Sequence, residues 1–126
     1  VSRLSYAVPV PARSGMSATF RLDGREFIAF NGGPYVKLNE AMSMFVNCKD
    51  QAEVDHYWQA LLADGGTPSR CGWLKDRFGL SWQIVPEALG RLLGDPDPAR
   101  AARAMKAMMG MVKLDIAAME NAAAGI

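Results

Sequence analysis

Gln83 lies in the run Gly79-Leu80-Ser81-Trp82-Gln83-Ile84-Val85-Pro86, where Leu80, Trp82 and Ile84 alternate with Ser81, Gln83 and Val85. A period of two puts the two sets on opposite faces of a strand. The two large apolar groups and the aliphatic need a helix to cover them, so the Gln83 face is left to look at a cavity or at solvent. Two other stretches offer polar groups in the same way. In Met42 to Cys48, Ser43, Phe45 and Asn47 share one face and Met44 and Val46 the other; in Glu26 to Asn31, Phe27, Ala29 and Asn31 lie opposite Ile28 and Phe30. Asn31-Gly32-Gly33-Pro34 then breaks the chain abruptly, either as a plain turn or as a nest of backbone amides suited to an anion.

The remaining chemistry-bearing types are sparse. His56, the sole histidine, projects roughly opposite Val54 and Trp58 on a helical pattern and reads as a solvated surface group. Cys48 and Cys71 form no CxxC and have no histidine spaced to join them at a metal, so they read as buried free thiols of a reducing cytoplasm.

The elements that must position these residues follow from local chemistry. Ser2 to Val8 reads as a strand, Pro9 to Gly15 as a loop, and the alternation from Met16 to Leu22 as a second strand. Asp23-Gly24 is a hairpin turn leading into Glu26 to Asn31. After Met42 to Cys48, Asp50 is an N-cap with Glu53 three residues on, and Val54, Trp58, Leu61 and Leu62 recur at helical spacing until Gly65-Gly66. Cys71 to Pro86 is a second hairpin, folded about Asp76-Arg77-Phe78-Gly79, where the Asp side chain can bond the backbone two residues on. A short helix around Ala88 to Leu93 follows. Asp97 and Pro98 then open a longer one with the apolar stripe Ala101, Met105, Met108, Met109 and Val112, and Leu114 to Ala124 continues as a helical tail.

At 126 residues the chain is expected to be one domain with its own core. A formal net charge of +1, with basic residues scattered among acids, argues against a nucleic-acid footprint. No apolar run approaches the ~18 residues of a membrane span, and no signal-peptide pattern opens the chain.

From Met42 the order is strand, helix, then strands about the Asp76 turn; a strand and helix ahead of residue 1 would give both halves a βαβββ pattern. Glu26 to Pro34, Phe45-Val46-Asn47-Cys48, Cys71 to Pro86 and Asp95-Pro96-Asp97-Pro98 together resemble the PhnB-like branch of the vicinal oxygen chelate superfamily, with its glyoxalases, bleomycin-resistance proteins and extradiol dioxygenases. That branch often carries the label 3-demethylubiquinone 3-methyltransferase. The resemblance implies an α+β fold of paired βαβββ modules forming a half-barrel sheet with a C-terminal helical extension. It divides 1–126 into an incomplete first module (1–34), a second module (41–86) and C-terminal helices (87–126).

It also puts Gln83 where relatives carry a metal-binding Glu, but the matching positions supply Ser43 and no histidine, and Ala29 or Asn31. A divalent ion needs several anionic or imidazole ligands at ~2 Å, so two neutral amides and a hydroxyl make a poor site. The methyltransferase label fits no better, because no glycine-rich loop joins a parallel strand to a helix. The function expected is small-molecule binding in the half-barrel cavity without a tightly held metal or other cofactor, with Gln83, Ser43, Asn31 and Phe45 as ligand contacts and a homodimer as the assembly. A metal-dependent isomerase or lyase of glyoxalase type, completed by a preceding strand, is the alternative. A third reading makes the methionine stripe a partner-binding surface.

Overall fold

The computed structural model describes residues 17–126, which fall in two compact units that meet in the chain between Lys37 and Leu38. The strand expected at Ser2 to Val8, the loop after it and Met16 lie outside the described residues.

In the first unit, β1 (Ser17–Leu22) and β2 (Arg25–Phe30) form an antiparallel hairpin. Its turn is Asp23-Gly24, both at positive φ (48° and 77°), the pairing whose twist matches that of the flanking strands. Phe20 and Phe27 are opposite each other and stack with ring centroids 5.8 Å apart. β2 ends at Phe30, one residue short of the expected Asn31, and the following Gly33 takes φ 86°.

The second unit contains a complete βαβββ module. β3 (Ser43–Cys48) leads through Lys49-Asp50 into α1 (Gln51–Leu62), and β4 (Thr67–Pro68), β5 (Trp73–Lys75) and β6 (Ser81–Pro86) follow. The sheet order is β3-β6-β5-β4, with β3 parallel to β6 and the remaining pairs antiparallel. The Asp50 carboxylate accepts the Glu53 amide proton at 2.9 Å, as the sequence leads one to expect of an N-cap. α1 packs on β5 and β6, burying Val54 and Tyr57. Leu74, Trp82, Ile84 and Cys48 are also buried. Trp58, expected as the anchor of this helix, is only half-buried; Tyr57 is the buried aromatic. The two-residue β4 carries too little pattern to be read in advance.

The hairpin turn is held from inside. Asp76 is buried, and its Oδ1 accepts from the amides of Phe78 (2.9 Å) and Leu80 (3.0 Å) while Oδ2 accepts from Trp82 Nε1 (2.9 Å). Three donors satisfy a carboxylate whose burial is otherwise costly.

Three helices complete the unit: α2 (Glu87–Leu93), α3 (Pro98–Met109) and α4 (Ile116–Ala124). Asp97 caps α3 ahead of Pro98, as the sequence indicates. The tail differs from the expectation of a helix continuing from Leu114: α3 stops at Gly110, whose amide bonds back to Ala107, and Asp115 caps a new helix by accepting from Ala118. Val112 is therefore in a loop and not on the stripe. Met108 packs on a second core of Val85, Leu114 and Met119, whereas Met105 and Met109 stay exposed. Both sheet faces thus carry helices, and the Gln83 face is covered at its Val85 end.

The extension is tied down by directional bonds. Cys71 and Gly72 donate their amides to Met111 O (2.9 Å) and Val112 O (2.8 Å). Gln51 on α1 donates to Leu114 O and accepts from the Ile116 amide, clamping the α3–α4 loop with one side chain. Gly72 is needed here: at φ 85°, a Cβ would meet Ile84 O at 2.9 Å and Leu114 Cδ1 at 3.1 Å.

Candidate functional site: a cavity between the sheet and the C-terminal helices

The strand registers place an amide between two aromatic rings. Phe45 of β3 and Trp73 of β5 are both the direct register partners of Gln83 on the central strand β6. The next row of the same face is polar: Ser43, Ser81 and Lys75 are likewise partners across β3, β6 and β5. Gln83 Nε2 donates to Ser43 Oγ at 2.9 Å, which holds the amide from the side. Ser81 Oγ is buried with no hydrogen-bond partner among the described residues. Lys75 Nζ pairs at 3.1 Å with Glu40, whose carboxyl is held below its ordinary range by a backbone hydrogen bond and by that ammonium.

Gln83, Phe45 and Trp73 line a cavity of about 590 Å³ whose far wall is helical, with Leu89 and Leu93 from α2 and Met108 from α3. Val85, Pro86 and Cys71 add apolar surface; Asn47 and Glu87 add an amide and a carboxylate. Phe45 remains 59% exposed although it stands in mid-strand.

Of the residues singled out from sequence, Gln83 and Phe45 lie on this cavity and Ser43 touches it through Gln83. Asn31 belongs to the other unit, where it follows β2 and is exposed. Trp73 went unread: counting back from a four-residue turn at Asp76 to Gly79 sets Lys75 against Leu80 and Trp73 against Trp82; the observed register, one residue further on with Leu80 still in the turn, pairs Lys75 with Ser81 and Trp73 with Gln83. Leu89, Leu93 and Met108 gave no signal either, because their position depends on where the helices dock. His56 is exposed, its ring edge-on to Tyr57 at 5.2 Å. The thiols differ: Cys48 is fully buried and its pKa is pushed up to about 12, by burial first and then by Glu53 and Asp50, whereas Cys71 is half-buried on the cavity wall.

A divalent metal does not fit the donors assembled here. The Gln83 amide and Ser43 hydroxyl are neutral and already bonded to each other, and their neighbour is Phe45. Among the described residues no three His, Cys, Asp or Glu side chains converge.

A βαβββ module with a pocket on the sheet face opposite its own helix defines a class of half-barrel proteins, and this fold is consistent with the vicinal oxygen chelate superfamily. A family model described as 3-demethylubiquinone-9 3-methyltransferase matches residues 1–85, and the chain belongs to that family, in its PhnB-like branch. Among solved structures it is similar to a PhnB protein from Bacillus cereus, itself provisionally described as a 3-demethylubiquinone-9 3-methyltransferase, at 30% identity and a TM-score of 0.51. That match covers 56% of this chain and 64% of the other. No curated protein matches the sequence.

Proposed function

We propose that the protein binds a small molecule in the cavity of its second unit, of glyoxalase or bleomycin-resistance type, without a tightly held metal. The observation that carries this reading is the cavity itself. At about 590 Å³ it has the size of a small-molecule pocket, and an apolar wall surrounds a few polar groups that can orient a ligand. Gln83 orients it, Ser43 fixes Gln83, and Phe45 supplies apolar contact. The neutral donor set disfavours the metal-dependent isomerase or lyase. The junction from β3 to α1 is only Lys49-Asp50, which offers no glycine-rich cradle for a nucleotide-like methyl donor. We further place the protein as a homodimer in a reducing compartment, the cytoplasm, where Cys48 and Cys71 stay thiols. No helix among the described residues is long and apolar enough to cross a membrane.

A thermal-shift screen of neutral small molecules against wild type and Gln83→Leu tests the binding reading. Ligands that stabilise the wild type and not the variant are expected. A library that shifts neither protein, or shifts both alike, would sink the proposed site.

A further inference from the structure

We infer that the cavity takes a flat aromatic or heteroaromatic ring, neutral or cationic, stacked between Phe45 and Trp73 with a hydrogen-bonding edge on Gln83; this rests on the binding reading above and specifies what is bound. Phe45 and Trp73 stand on either side of Gln83 in one register row, and all three line the cavity. Two strand spacings separate the flanking residues by about 10 Å. Stacked rings keep their centroids ~4.5–7 Å apart, so with the Gln83 amide drawn aside to Ser43 Oγ the row admits one further ring above it and not two. A saturated molecule of the same volume would meet the aromatic faces without stacking on either.

The polar groups decide orientation and charge. Gln83 forms the floor of the slot, and Asn47, two residues beyond Phe45 on the same face of β3, adds a second amide to the lining. A hydroxyl or ring N–H directed to this side finds hydrogen-bonding partners that the Leu89 and Met108 side lacks. No Lys, Arg or His lines the cavity, whereas Glu87 does and forms no ion pair among the described residues. An anionic ligand would lose its hydration with no cation to receive it, so phosphorylated and carboxylated molecules are disfavoured.

The test uses three probes on the purified chain by isothermal titration calorimetry: 2-naphthol, its saturated counterpart decahydro-2-naphthol, and the anion 2-naphthoate. 2-Naphthol should bind about tenfold or more tightly than the saturated alcohol, as expected for two added stacking contacts, and more tightly than 2-naphthoate. Phe45→Leu and Trp73→Leu should each remove a large part of the planar preference. Melting curves check that Trp73→Leu folds, and the exposed Phe45 keeps the test intact if it does not. Equal affinity for the planar and saturated alcohols, or a preference unchanged in Phe45→Leu, overturns the ring-stacking inference while leaving a bound molecule and hence the binding reading standing. No binding of any probe at millimolar concentration also overturns it, and the neutral-molecule screen then decides separately whether the cavity binds anything.

Discussion

Gln83 and Asp76 are polar residues seven apart on one hairpin, and their surroundings give them opposite duties. Gln83 is half-buried with one side-chain partner, so Gln83→Leu should change stability by only about 1 kcal/mol while abolishing ligand-dependent stabilisation. A loss of several kcal/mol in chemical denaturation would instead mean the amide is a structural hydrogen-bonder. Asp76 organises two backbone amides and the Trp82 indole from inside the turn. Trp82, 2% exposed, combines that bond with core packing, so Trp82→Ala should cost roughly 3–5 kcal/mol, enough to unfold a marginal domain. Wild-type-like melting of that variant would show the strand faces to be reversed.

Among the elements, the C-terminal extension is built into the module as a wall of its cavity. Gln51 supplies a donor and an acceptor to the α3–α4 loop, so Gln51→Ala should destabilise by about 2 kcal/mol and raise hydrogen exchange at Ile116 above that at the centre of β6. Unchanged exchange would deny the clamp. Beside it, Lys113 Nζ lies 2.8 Å from Asp55 Oδ1 and, with Gln51, lowers the Asp55 pKa below its ordinary 3.8. The sign follows from linkage: a carboxyl depressed in the folded state adds stability that is complete above its unfolded pKa and is lost as pH falls through the folded one. Both groups are largely solvated, so the contribution is small. Lys113→Met should move the Asp55 titration, followed by carboxyl NMR, back up toward its ordinary value; an unmoved titration would show the pair is not formed in solution.

For the whole molecule, the question is what the apolar stripe of the C-terminal extension does. Met108 belongs to the chain's own core, which leaves Met105 (41% exposed), Met109 (60%) and the loop residue Val112 (47%) facing outward. These three are what a homodimer through the C-terminal helices would use, and Met105→Glu with Met109→Glu should yield monomers. Light scattering on wild type and variant is decisive: wild-type protein that stays monomeric at high micromolar concentration removes the dimer.

Short-range chemistry made helix starts and turns in both units legible in the amino-acid sequence. Asp50 and Asp97 mark helix starts because a cap is a contact between near neighbours. Asp23-Gly24 and Asp76 to Gly79 mark turns for the same reason, and alternation alone assigned Gln83, Ser43 and Phe45 to their faces. The Trp73–Gln83–Phe45 row was not available: the turn between β5 and β6 takes in Leu80 as well and shifts their register by one residue, and the parallel pairing of β3 with β6 spans the whole of α1 and leaves no local mark. Where the three C-terminal helices come to rest was not legible at all. An apolar stripe states that a face must be covered and is silent on by what; Met108 and Met109 are adjacent and chemically identical, yet one closes the second core and the other faces solvent. Only tertiary packing separates them, because hydrophobic burial is non-directional and the docking of the extension is set by the distant hydrogen bonds of Gln51, Cys71 and Gly72.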